Sequence, residues 1–279
     1  MPALLVFFVI VLLPIAISFY FALLKWNGIG TGNFMGLDNY ISLFSRENEV
    51  FLKSISNSLI LVFLSVFVQL PIALLLALVL ATKVKGESFY RTVYFIPVIM
   101  STVVVGQLWL KIYQPEYGML NTVLNSLGLG AWTREWIANP DTALISAFIP
   151  TVWQYVGYHM LLLYAGIKSI PEELFEAARI DGASSVKTAL RITIPLLKPM
   201  LNTCVIFAAI GSLKVFDIIY VMTKGGPMHA SEVPSTVMYN SIFVKNMYGY
   251  GSSIAVFIVL ECLLMTLVVQ KCFKVEKSI

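Results

Sequence analysis

Residues 166–199 read GIKSIPEELFEAARIDGASSVKTALRITIPLLKP, a long polar stretch set among apolar runs. Its local signals describe a short helix, a glycine stop and a second piece ending at Pro195. Ser169 suits a helix N-cap, and Pro171 falls in the first turn, where its missing donor costs nothing. Glu172 stands three residues after Ser169, as a capping box asks. Glu172 and Glu173 also suit the positive helix end, and Gly182 can take the left-handed conformation that stops a helix. The pattern predicts a helix over 171–181 with Leu174, Phe175, Ala177, Ala178 and Ile180 as its apolar or small residues. Such a helix is too short to hold alone. It must dock, either on this chain's own spans or on a partner.

Outward from this segment the chain reads as membrane. Of 279 residues 58% are hydrophobic and 12% charged, and the mean hydropathy is +0.84. Soluble domains carry about 25% charged residues. The net charge of +4 is spread over short loops rather than gathered in a patch, which argues against nucleic acid. Cys204, Cys262 and Cys272 lie in or beside apolar runs and read as reduced residues without a metal or disulfide framework. Met1-Pro2 enters the first apolar run at once, with neither the basic region nor the cleavage site of a signal peptide. Apolar runs of about 20 residues predict six transmembrane helices. They fall near 3–24, 58–80, 92–112, 143–165, 200–222 and 252–271, with Pro14, Pro71, Pro97 and Pro150 inside them. The expected fold is therefore an all-α polytopic membrane protein, one transmembrane domain over 1–279.

An even number of spans puts both termini on one side, and the positive-inside rule chooses it. Segments 82–91, 166–198 and 271–279 hold 11 of the 19 Lys and Arg in 52 residues; 25–57, 111–142 and 223–250 hold seven in 93. The first set, with both termini and the polar stretch, is expected in the cytoplasm. The second set is expected outside, where GGP at 225–227 marks a turn, and Trp132 and Trp136 suit either a docking surface or interfacial anchoring.

Glu176 to Pro195, EAARIDGASSVKTALRITIP, resembles the EAA loop of bacterial ABC importer permeases. That pattern is Glu-Ala-Ala, three residues, Gly, nine residues, then Ile-x-Leu-Pro. Glu176, Ala177, Ala178, Gly182, Ile192 and Pro195 match in register, and Ile194 replaces the usual Leu. FMGLDNYISLF (34–44), SFYRTVYFIP (88–97), PEYGMLN (115–121), LYAGIKSIP (163–171) and KVFDIIYVMTKGGP (214–227) look like further segments of the sugar branch. They extend the resemblance over nearly the whole chain, toward the type related to the larger maltose-system permease. Members often carry a basic tail ahead of the first span, which this chain lacks.

The resemblance implies a type I importer permease, with a cytoplasmic coupling helix between helices 4 and 5 in an EAA loop over 166–199. It implies ATPase coupling through Leu174, Phe175, Glu176, Ala177, Ala178, Asp181 and Gly182, with Glu176 paired to a basic ATPase residue. It also implies a second homologous permease as heterodimer partner, two ATPase subunits that bind the ATP and Mg, and an extracytoplasmic sugar-binding protein. No Gly-Lys dipeptide occurs, so the chain has no Walker A loop of its own.

Polar groups inside a membrane are the default site candidates. They are Gln69, Gln107, Gln154, His159, Ser212, Lys214, Asp217 and Glu261. Sugars want flat aromatic faces and hydrogen-bonding rims, which Trp153, Gln154, Tyr155, Tyr158 and His159 of the fourth span offer with Ser212, Phe216, Asp217 and Tyr220 of the fifth. By resemblance, these two spans line the central cavity and Ser212 falls where a sugar-binding side chain sits. Val215 falls at another such place and is apolar. Lys214 and Glu261 are expected at similar depth, roughly 12–13 Å below the outer edge at 1.5 Å per residue, where a salt bridge can join them. Packing between helices is the competing role for each of these residues. Neither His159 nor His229 belongs to a catalytic set, so a transport subunit rather than an enzyme is expected, with an acidic sugar or a glycerol phosphate as alternative cargo. An ion-coupled carrier using Asp217 and Glu261 would leave the 166–198 segment without a purpose.

Overall fold

The computed structural model describes residues 2–82 and 84–273. Met1, Lys83, Lys274 and Lys277, and with them the expected placing of the C-terminal tail, lie outside the described residues. The described residues form six helical rods and short connecting helices; a ribbon pairs Leu24–Lys25 with Asn33–Phe34.

Four rods are long and apolar enough to cross a bilayer unaided: Pro2–Phe21, Glu49–Ala81, Lys198–Met222 and Tyr248–Phe273. A bent pair, Glu87–Ile99 and Thr102–Ile112, meets at 98° and is apolar enough when taken together, as a broken span or a re-entrant loop. The remaining rod, Pro140–Lys168, has 29 residues. Its length is ample, but its middle carries Trp153, Gln154, Tyr155, Tyr158 and His159, which lower its hydropathy.

The boundaries differ from the expectation in instructive ways. The second rod begins at Glu49, not near 58, because Asn48 caps it: its side-chain oxygen accepts from the Phe51 N–H at 3.4 Å. The fourth begins at Pro140 behind Asn139, which accepts from the Asp141 N–H at 2.9 Å. The first ends at Phe21 rather than Leu24, where the ribbon starts.

Three prolines pass without a break for one shared reason. Pro14, Pro71 and Pro195 each follow by two residues a five-residue π turn: Phe8–Leu12, Ser65–Gln69 and Ala189–Thr193. Proline's ring clashes with the carbonyl four residues back, and the wider π turn moves that carbonyl away. Pro195 therefore does not end the polar segment. Helix runs from Ser185 through Leu196 and, past Leu197, into Lys198–Leu213. The third rod, predicted whole over 92–112, behaves differently. Three residues after Pro97 the chain turns extended at Met100 (ψ 142°) and Ser101 (ψ 133°).

The core joins the rods pairwise. Leu70, Ala73, Ala77 and Leu80 of the second pack on Met160, Leu163, Tyr164 and Ile167 of the fourth, with Cys204 and Ala208 of the fifth. Val105, Phe148, Ile218, Ile219 and Val233 form a second cluster. Small residues permit close approach in membranes, and Gly157 is such a point. A Cβ there would stand 1.9 Å from the Tyr94 carbonyl oxygen.

Residues 223–250 are not the plain external surface expected. Residues 230–237 are buried, and Pro234–Tyr239 is a helix packed on the second and sixth rods. The buried Asn57 side chain holds the segment in place by donating to the carbonyls of Ala230 (3.0 Å) and Glu232 (2.8 Å).

Candidate functional site

The polar loop yields the helix Glu172–Ile180. Pro171 is its N-cap and no side chain caps it; Ser169 instead ends the preceding helix, donating to the Gly166 carbonyl at 2.8 Å. The expected capping box does not form: Ser169 caps the C-terminus of the preceding helix, and Glu172 is the first residue of the next rather than its third. The stop is as read. Gly182 has φ +69°, its N–H donates to the Arg179 carbonyl (3.0 Å), and the Ala183 N–H donates to that of Ala178 (2.9 Å). That paired closure is a Schellman motif. Of the seven coupling candidates only Ala178 is buried and Phe175 half-buried; Leu174, Glu176, Ala177, Asp181 and Gly182 are exposed. Leu174 (42% exposed), Ile180 (86%) and Val186 (69%) leave apolar surface uncovered at this end of the bundle.

Deeper in the bundle lies a cavity of about 370 Å³. Tyr158, His159, Ser212, Lys214, Phe216 and Asp217 line it, joined by Tyr155. Ser65, Gln69, Thr102 and Thr151 complete its polar wall. The Ser65 and Ser212 hydroxyls lie 2.7 Å apart, one donating to the other, and Gln69 Oε1 (3.4 Å from Ser65) and the Ala208 carbonyl (3.0 Å from Ser212) compete for the same two protons.

The fifth rod breaks where it meets the cavity. Lys198–Leu213 stops, Lys214 to Phe216 leave the helix, and Asp217–Met222 resumes. Lys214 stands at the C-terminal end of one helix and Asp217 opens the next, the charges that the two helix dipoles favour. Thr102, the first residue beyond the break in the third rod, lines the same cavity. Two interrupted rods therefore open on one space. Irregular backbone at membrane depth is tolerated where it lines a cavity, and such breaks point to binding sites in transporters.

The remaining candidates fall elsewhere. Trp153 meets Trp109 edge to face, with ring centroids 6.1 Å apart. Gln154 is buried and donates through Nε2 to the Met100 carbonyl at 2.9 Å, supporting a carbonyl that the break leaves without a helical partner. Tyr220 stacks on Phe216 (5.1 Å) and meets Tyr239 (4.8 Å). Among the described residues no ion pair joins Lys214 to Glu261, and Glu261 Oε2 is buried without a hydrogen-bond partner. Similar depth on two helices does not by itself bring two side chains together, and Lys214 sits where its helix ends. Ser65, Thr102 and Thr151 were missed: isolated hydroxyl residues in apolar runs carry no periodic signal. Ser65 and Gln69, four apart in a leucine-rich helix, were the available hint.

A bundle with two interrupted rods around a polar cavity and an uncovered loop helix at one end defines a membrane transport subunit. The chain belongs to the family described as binding-protein-dependent transport system inner membrane components, whose profile matches residues 28–273. It is an ABC transporter permease of that family and an integral membrane protein. It is 39% identical to the probable ABC transporter permease protein YurN of Bacillus subtilis, over 99% of this chain and 95% of that one. It is 35% identical to the trehalose/maltose transport system permease protein MalF of Thermococcus litoralis, over 97% and 90%. Its fold is that of a chain in the crystal structure of a bacterial ABC transporter that imports the acidic polysaccharide alginate: TM-score 0.85, 23% identity, 100% of this chain and 94% of that one covered.

Proposed function

We propose that this permease forms half of the path by which an ATP-driven importer carries a carbohydrate, an oligosaccharide in the first instance, across the bacterial inner membrane. The carrying observation is the pair of breaks, at 100–101 and 214–216, that open on one polar, aromatic-lined cavity. The side chains of Ser65, Gln69, Thr102 and Thr151 on its wall suit hydroxyl-rich cargo, and Tyr155, Tyr158 and Phe216 supply flat faces. A second, homologous permease closes the path from the other side. Both termini and the 166–198 loop face the cytoplasm, where each of two ATPase subunits, which bind the ATP and Mg, grips one loop helix. An extracytoplasmic binding protein delivers the sugar. The uncovered apolar residues of the loop helix support this docking, because a nine-residue helix with exposed Leu174 and Ile180 needs a partner.

The names of the curated relatives favour neutral saccharides. A second reading, an acidic sugar, rests on Lys214, which lines the cavity without an acidic partner among the described residues. Purifying the chain from its host tests both. A stoichiometric ATPase should accompany it, and a sugar-loaded binding protein should stimulate hydrolysis; the sugar that does so separates the readings. Uptake by this chain with no ATPase present would refute both.

A further inference from the structure

We propose that Tyr164, Glu87 and Arg91 form a latch that fixes the loop end of the third rod to the fourth, so that movement of the loop helix reaches the cavity wall. This rests on the coupling role given above. The Tyr164 hydroxyl donates to Glu87 Oε1. Arg91 Nη1 stands 3.7 Å from the same oxygen. The Arg91 guanidinium and the Lys168 ammonium each lie 5.3 Å from the centre of the Tyr164 ring. Tyr164 is 8% exposed. One aromatic ring thus gathers a carboxylate and two cations from both rods.

Two further ties continue the seam. Gly157 meets the Tyr94 backbone, and Gln154 donates to the Met100 carbonyl. Both are neutral and involve main chain, so they hold the deeper part of the seam by close packing and a single hydrogen bond. Only the latch is built from ionisable side chains, and it sits where load arrives. Lys168 ends the fourth rod, and Ser169, Ile170 and Pro171 lead into the loop helix. Past Met100 the third rod turns and places Thr102 on the cavity. Without the latch, the first fixed point of the seam is Gly157, about 10 Å further along the helix at 1.5 Å per residue. Displacement of the loop helix would then bend the free ends apart rather than carry Thr102. Tyr164 is accordingly a positioning residue, not a cargo contact.

The test is a spin-label distance measurement on the purified, ATPase-bound complex, after Cys204, Cys262 and Cys272 are replaced by serine. Labels at the exposed Phe89 and Ala165 span the seam at the loop end; labels at Val186 and Leu129 report whether nucleotide moves the loop relative to the far end of the bundle. On adding Mg-ATP and vanadate, the Val186–Leu129 distance should change while the Phe89–Ala165 distance stays constant. In Tyr164→Phe the Phe89–Ala165 distance should widen with nucleotide by roughly 2 Å, an ordinary helix shift; Glu87→Gln, which keeps an acceptor, should stay closed. Should Tyr164→Phe not assemble, Glu87→Ala carries the same expectation. A seam that opens in the parent, or one that stays shut in both Tyr164→Phe and Glu87→Ala, overturns the latch. No nucleotide response of Val186–Leu129 instead overturns the coupling role on which it rests.

Discussion

Gly157→Ala is a demanding single-atom perturbation of the seam between the third and fourth rods. The added Cβ would lie 1.9 Å from the Tyr94 oxygen, 2.6 Å from its carbonyl carbon and 3.3 Å from the Phe95 nitrogen. All three are backbone atoms, so no rotamer change relieves the clash. Restoring ordinary contact moves the two rods apart by more than 1 Å, and overpacking of that kind costs about 1–3 kcal/mol. The same movement stretches the Gln154–Met100 hydrogen bond, now 2.9 Å, toward breaking, which adds about 0.6–1.7 kcal/mol on the scale of interhelical bonds in membranes. The expected total is about 2–5 kcal/mol. At roughly 2–4 °C per kcal/mol for a chain of this order of size, Tm of the detergent-purified protein should fall by about 4–20 °C. Gly211→Ala is the matched control: a Cβ there meets nothing within 4 Å, and alanine favours the helix, so Tm should hold or rise slightly. Equal Tm values for the two variants would refute the close seam between the third and fourth rods.

Gly182→Ala forces a side chain into φ +69° and should cost about 1 kcal/mol, read as lower ATPase retention on purification with the bundle's own unfolding midpoint nearly unchanged. Asn57→Ala removes two buried hydrogen bonds to Ala230 and Glu232; it should destabilise by about 1–3 kcal/mol and expose 223–232 to limited proteolysis, whereas parental cleavage resistance would contradict the stapled segment. Lys214→Met and Glu261→Met should have additive effects on Tm, with a coupling below about 0.5 kcal/mol, because no ion pair joins them; a larger coupling would restore the pair.

The rods, the loop helix and its glycine stop were legible because apolar run length and a glycine's left-handed freedom are local signals. The interruptions were not. Pro14, Pro71, Pro97 and Pro195 look alike in a string, yet three are absorbed by preceding π turns and one is followed by a right-angled break. What distinguishes Pro97 is a neighbour: Gln154, far along the chain, holds the Met100 carbonyl that the break frees. The fourth- and fifth-rod cavity residues were found from their polarity. Ser65, Thr102 and Thr151 reached the cavity through packing that no periodicity encodes, and the buried 230–237 segment is held by Asn57 and by apolar contacts of Val233 and Val237 that come from far along the chain. Lys214 and Glu261 illustrate the converse. Matching depths did not make a pair, since the helix end at Lys214 already accommodates its charge.

Everything turns on whether force enters through the loop helix. The decisive measurement is ATP turnover and sugar uptake by the reconstituted complex carrying Glu176→Lys, an exposed position on the loop helix. The account predicts that both fall together, by roughly tenfold or more as for a central interface residue, while the permease is recovered in normal amount. Parental turnover and uptake in that variant would contradict it.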